Sequence, residues 1–175
     1  MNQPIVIPAV ARDGSLYPIE KMKAHVDGVL HLAVSVFVFD GDLLLIQKRA
    51  SGKYHCGGQW ANTCCSHPHW SESVEDCAER RLSEELGFAV PLTRHETVEY
   101  AADVGSGLKE NERVTLFSAQ VDRRRLDVVP NPEEVEAVQW VAPRNLYRAV
   151  AETPDAFTPW FRIYLERFPA LQFAA

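Results

Sequence analysis

Glu110 and Glu112 stand two residues apart, and positions i and i+2 of a β-strand face the same side, so both carboxylates can converge on one cation. The chain also carries six histidines, and imidazole combined with carboxylate suits Zn²⁺, Mn²⁺ or Mg²⁺. A lone histidine is more often structural or exposed than a ligand, so spacing alone does not say which of them would join the two acids. A second constellation is R-R-L-S-E-E-L-G-F at residues 80–88, where Arg81 and Glu85 have the i,i+4 spacing of neighbours on one helix face. By itself such a helix reads as a solvated face whose charges pair with each other. Ahead of both lies W-A-N-T-C-C-S-H-P at residues 60–68, which gathers amide, thiol and imidazole groups. Taken singly, Cys65 reads as an inert buried thiol and Trp160 as ordinary core.

The elements that must hold these groups follow from pattern. Residues 4–10 read as a strand, Asp13-Gly14 as a tight turn, and residues 19–25 as one or two helical turns. Residues 31–40 and 43–48 are apolar runs flanking Gly41, which predicts a hairpin buried on both faces. Residues 50–70 lack any period, and so long a loop in a compact domain is usually functional. A helix is expected over 72–86, with Ser71 as its N-cap and Gly87 just past its end. Residues 94–103 and 108–121 should pair around Gly105-Ser106-Gly107, followed by a strand at 134–141 and helices at 143–151 and 157–167. No internal repeat or linker divides residues 1–175, so one domain of α+β layers around a mixed sheet is expected.

The run from Ser66 to Phe88 resembles a Nudix box, G-x5-E-x7-R-E-U-x-E-E-x-G-U with U aliphatic. Two positions depart from it. The opening Gly is Ser66, and the catalytic-helix Glu is Arg81, which removes a hard oxygen ligand for Mg²⁺ and argues against hydrolysis. The N-x-x-C-x-H-P pattern is similar to the active-site signature of type 1 isopentenyl-diphosphate isomerases, Nudix-fold proteins with a degenerate box. That resemblance runs over about residues 4–168. It implies His25, His31, His67, Glu110 and Glu112 around one divalent ion, Mn²⁺, Mg²⁺ or Zn²⁺. Cys65 and Glu85 are carried over as further metal ligands, with Glu85 serving a Mg²⁺ on the diphosphate. His55, His69 and His95 remain structural or exposed in this reading.

The same resemblance implies the chemistry. Moving the double bond of isopentenyl diphosphate to give dimethylallyl diphosphate needs protonation at C4, a tertiary cation at C3, and loss of a proton from C2. Cys65 and Glu112 are the expected acid/base pair, Tyr100 the residue that relays or orients a proton, and Trp160 the indole facing the cation. Lys21, Arg49, Lys53 and Arg81 are expected to bind the diphosphate. An apolar pocket closed near residues 157–160 should keep water from the cation. The rival expectations are a Nudix hydrolase, separable by phosphate release, and a non-catalytic Nudix-like module.

The bulk numbers bound the rest. The chain has 175 residues, 46% of them hydrophobic, and a net charge of −6, enough for a core and wrong in sign for a nucleic-acid partner. Arg123-Arg124-Arg125 follows Asp122 and reads as a solvated loop. No apolar run approaches the ~20 residues that span a bilayer, and the first residues lack the basic start of a signal peptide. Cytoplasm, an isoprenoid diphosphate as the only partner, and a monomer or weak dimer are therefore expected. Cys56, Cys64, Cys65 and Cys77 show no C-x-x-C spacing, which argues against a structural zinc knot or disulfide framework.

Overall fold

The computed structural model describes residues 4–174. In chain order the elements are β1 (Val6–Val10), β2 (Leu16–Glu20), α1 (Lys21–Asp27), β3 (His31–Asp40), β4 (Leu43–Arg49), β5 (Trp60–Ala61), β6 (Cys64–Ser66), α2 (Val74–Leu86), β7 (Thr93–Gly105), β8 (Leu108–Gln120), β9 (Val135–Val141), α3 (Pro143–Glu152) and α4 (Pro159–Arg167). The strands join one mixed sheet, the α+β arrangement that the pattern predicts. No described helix is long and apolar enough to cross a membrane.

β3 is central. It runs parallel to β8 from His31↔Glu112 to Phe39↔Gln120, and β8 pairs antiparallel with β7. Because both faces of β3 are covered, its residues alternate between two cores rather than between core and solvent. Val34, Val36 and Val38 pack with Leu82 and Leu86 of α2. Ala33 and Phe37 pack on the opposite face with Leu146 of α3 and Phe161 and Tyr164 of α4. His31 and Ser35 share the second face by the same alternation, as do Glu110 and Glu112 ahead of Val114 and Leu116 on β8.

The expected β3–β4 hairpin forms only at its turn. Gly41 takes φ 57°, and just Phe39↔Leu44 and Asp40↔Leu43 pair before the strands part. The segment 60–66 is wedged into the gap, with β5 on β4 and β6 on β3. Thr63 replaces the missing ladder: its Oγ1 accepts from Val38 N at 2.9 Å and donates to Leu45 O at 2.5 Å. Asn62 Nδ2 donates to Val36 O and Cys64 O at 3.1 and 3.2 Å. A buried strand edge must have its polar groups satisfied, and these two side chains do so for β3 and β4.

Helix α2 begins later than the sequence suggests. Ser73, not Ser71, is the N-cap, with Oγ accepting from Asp76 N at 3.0 Å. Ser71 lies in a left-handed turn at φ 71° before it, and Gly87 ends the helix at φ 76° as expected.

Candidate active site

One cleft holds most of the chemistry-bearing residues. It is lined by Lys21, Arg49, Lys53, Tyr54, His55, Cys65, Ser66, His67, Arg81, Glu85, Tyr100, Glu110, Glu112 and Trp160.

Its deep end, where His67, Glu110 and Glu112 line the cleft in front of the fully buried His25 and His31, is built on regular elements. His25 comes from α1, His31 from the start of β3, His67 from just past β6, and Glu110 and Glu112 from alternate positions of β8. His25 Nδ1 donates to Lys21 O and His31 Nδ1 to Val29 O, both at 2.7 Å. Each bond places a proton on Nδ1 and turns Nε2 inward. Nε2 of His25 lies 3.2 Å from Glu110 Oε2, and Nε2 of His31 and of His67 lie 3.7 and 3.8 Å from the same oxygen. Ligand atoms of His25, His31, His67 and Glu110 all fall within 4.8 Å of one another, and every one of these residues is buried.

Glu112 flanks that group, with Oε1 at 2.7 Å from His67 Nε2 and 3.7 Å from His31 Nε2. Its Oε2 accepts a short hydrogen bond from the Tyr100 hydroxyl. Burial, reinforced by the Glu112 charge, holds that phenol well above its usual range, so it remains a donor. Burial also opposes a charge on His31, yet Glu110 and Glu112 outweigh it and push the imidazole up to about 10.

Cys65 sits on β6 opposite Ser35. Its Sγ donates to Asn62 Oδ1 at 2.9 Å, and Ser35 Oγ, itself 2.9 Å from the Tyr164 hydroxyl, lies 3.3 Å from the sulfur. The two backbone bonds of Asn62 Nδ2 determine which way the amide points, so Oδ1 is turned to the thiol. Burial pushes Cys65 up to about 12, which keeps its proton in place near neutral pH.

The outer end is cationic. Arg81 reaches Glu85 at 2.6 Å and Glu134 at 3.3 Å, and Lys53 forms a short ion pair with the same Glu134. Arg49 lies 5.3 Å over the Trp160 ring, and Lys21 4.9 Å over that of Tyr54. Burial, then Lys53 and Arg81, depress Lys21 to about 8. Cations crowded until they disfavour one another's charge make a site for an anion.

The chain matches the NUDIX domain family over residues 29–161. It is 53% identical to an isopentenyl-diphosphate Delta-isomerase of Cereibacter sphaeroides over 93% of this chain and 91% of that one. A Roseobacter denitrificans protein of the same name is also 53% identical, over 97% of this chain and 96% of the other. The chain belongs to the Nudix family, among the isopentenyl-diphosphate Delta-isomerases. The Nudix fold is seen again in a crystal structure from Deinococcus radiodurans, at TM-score 0.71 and 14% identity, covering 93% of this chain and 98% of that one.

Placed on this Nudix scaffold, several sequence expectations change. Glu72, which stands at the first Glu of the box, is not among the residues lining the cleft; it accepts from His69 N at 2.8 Å and pairs with Arg80 at 2.6 Å. Glu85 does face the cleft, gripped by Arg81 and by Gln47 Nε2 at 2.8 Å. Cys65, expected among the metal ligands, lines the cleft with its sulfur donating to Asn62 and beside Ser35, and like Glu112 it is not one of the four residues whose ligand atoms cluster. Of residues 157–160, where an apolar closure is expected, Trp160 lines the cleft and Phe157 does not. His55, read as structural or exposed, is buried with Nε2 at 2.8 Å from Glu110 Oε1. Its only sequence signal is membership of the same long loop as Lys53. Glu134 and Thr63 were likewise not singled out, because their partners lie far away in sequence.

Proposed function

We propose that this chain interconverts isopentenyl diphosphate and dimethylallyl diphosphate in isoprenoid biosynthesis, with Cys65 and Glu112 as its acid/base pair. The observation that carries the residue assignment is that a protonated thiol and a carboxylate line one cleft whose mouth is cationic. The reaction balances with two proton transfers. One of the pair protonates C4, the π electrons form the new C4–H bond, and C3 becomes a tertiary cation. The other removes a proton from C2, and those electrons form the C2–C3 double bond. In the reverse direction the donor and acceptor exchange roles.

Tyr100 orients the Glu112 carboxylate through its hydrogen bond. Trp160 offers an indole face to the cation, a stabilisation of about 2 kcal/mol in a desolvated site. Lys21, Arg49, Lys53 and Arg81 bind the diphosphate, whose binding energy positions carbons remote from it.

The residues fit a divalent ion. Among the described residues, Nε2 of His25, Nε2 of His31 and Oε2 of Glu110 are buried without a hydrogen-bond partner, as donors awaiting a cation would be. His25, His31, His67, Glu110 and Glu112 would hold Mn²⁺, Mg²⁺ or Zn²⁺, with Glu85 serving a Mg²⁺ that accompanies the diphosphate. When bound, the inner ion would neutralise the paired carboxylates and lower the basicity of Glu112. A cytoplasmic setting, which keeps free thiols reduced, suits a catalytic Cys65, and the reading calls for no partner beyond the substrate, as a monomer or weak dimer.

The test is an incubation of purified, Mn²⁺- and Mg²⁺-loaded protein with isopentenyl diphosphate. Dimethylallyl diphosphate should accumulate without phosphate release. Released phosphate with no shift of the alkene would instead make the chain a Nudix hydrolase.

A further inference from the structure

The two buried carboxylates of β8 are held in the same way. Glu112 turns Oε1 toward the imidazoles of His67 and His31, and a Tyr100 donor holds its Oε2. Glu110 turns Oε2 toward His25, His31 and His67, and its Oε1 lies 2.8 Å from His55 Nε2. His55 is outside the group whose ligand atoms all lie within 4.8 Å of one another, and it meets Glu110 through Oε1, the oxygen turned away from His25, His31 and His67.

We propose that His55 is a positioning residue for the metal site, donating from Nε2 to Glu110 Oε1 so that Oε2 alone is presented to the ion. This rests on the His/Glu metal site proposed above and deepens it. A nitrogen lone pair facing a carboxylate oxygen at 2.8 Å would be repulsive, so the proton belongs on Nε2. Both ring nitrogens lack any other hydrogen-bond partner among the described residues, so nothing competes with Glu110 for that proton. The ring itself is firmly seated. It meets Tyr54 edge-on at 4.2 Å and Trp160 edge-on at 5.7 Å, and stacks on His25 at 5.7 Å.

The loop that delivers His55 is fixed by its own backbone. A Cβ on Gly57 would sit 2.5 Å from Ser51 O, so only glycine allows the chain to fold back here. The Arg49 guanidinium then donates to the His55 carbonyl at 3.2 Å, tying the loop to β4. With one oxygen of Glu110 claimed, the carboxylate cannot rotate to chelate an ion through both. Outer-shell partners of this kind alter metal affinity by ~10–100-fold when removed.

The experiment is calorimetric titration of Mn²⁺ into chelator-treated protein without substrate, comparing wild type, His55→Phe and His55→Gln. Phenylalanine keeps the aromatic packing and loses the donor, whereas glutamine keeps a donor and loses the ring. Circular dichroism checks that each variant folds. His55→Phe should bind Mn²⁺ about 10-fold or more weakly, and His55→Gln should stay within a few-fold of wild type. Wild-type affinity in His55→Phe, or the opposite ranking of the two variants, would overturn the positioning role. Failure of the wild type itself to bind Mn²⁺ would overturn both the metal site and the inference.

Discussion

The imidazole end of the cleft and its cationic end are held in place by different means. His25, His31 and Glu110 sit on α1, β3 and β8, and Nε2 of each imidazole and Oε2 of Glu110 have no hydrogen-bond partner among the described residues. At the cationic end every side chain already has company: Glu134 for Lys53, Glu85 and Glu134 for Arg81, Trp160 for Arg49, and Tyr54 for Lys21. One end stores unmet coordination capacity on rigid strands and a short helix. The other stores positive charge under temporary partners that a diphosphate can displace. The first suits an ion that stays, and the second a substrate that comes and goes.

That contrast predicts different kinetic signatures for the two ends. The largest effects belong to the reacting groups. Cys65→Ala and Glu112→Gln should each lower kcat by ~1,000-fold or more with the fold intact by circular dichroism. Near-normal turnover in either would remove the acid/base pair. Chelation comes next. Metal-stripped protein should lose isomerisation, and added Mn²⁺ or Mg²⁺ should restore it and raise Tm, since a ligand of the folded state alone stabilises it. Full turnover in chelator would break the reading of the deep end.

Lys53→Ala and Arg81→Ala should act mainly on KM, raising it roughly 10-fold, or about 1.4 kcal/mol, with a smaller change in kcat. An unchanged KM would mean that these cations serve only their carboxylate partners, Glu85 and Glu134. The smallest effect concerns pH in chelator-treated protein. His31 is raised from 6.5 to about 10 in the folded state, so the stability it contributes is complete below pH 6.5 and declines as pH climbs toward 10. Lys21 is depressed to about 8, so above pH 8 the folded protein sheds a buried charge and regains part of that loss. Tm should therefore fall between pH 6.5 and 8 and then flatten. The fall should be absent in His31→Gln.

At the deep end strand alternation makes Glu110 and Glu112 legible, since it puts them on one face whatever the tertiary details, whereas His25 and His31 are reached only through the family resemblance. The N-x-x-C-x-H-P run identified Cys65 and His67, and only the structure explains its amide: Asn62 and its neighbour Thr63 stand in for a ladder that β3 and β4 never complete. A buried polar wedge of this kind has no periodicity, so the two apolar runs predict a longer hairpin than forms. His55 was hidden for a related reason. It sits in an aperiodic loop, and its partner Glu110 lies on a strand introduced much later in the chain. Glu134 was invisible because its two cations come from separate parts of the chain, one in that loop and one on α2.

The most direct measurement is a proton NMR time course of isopentenyl diphosphate with the metal-loaded protein in D₂O. Deuterium should enter the methyl group formed at C4 as dimethylallyl diphosphate appears, and Cys65→Ala and Glu112→Gln should show neither signal. Product formed at the wild-type rate by those variants, or an unlabelled methyl group at first turnover, would contradict proton transfer by this pair.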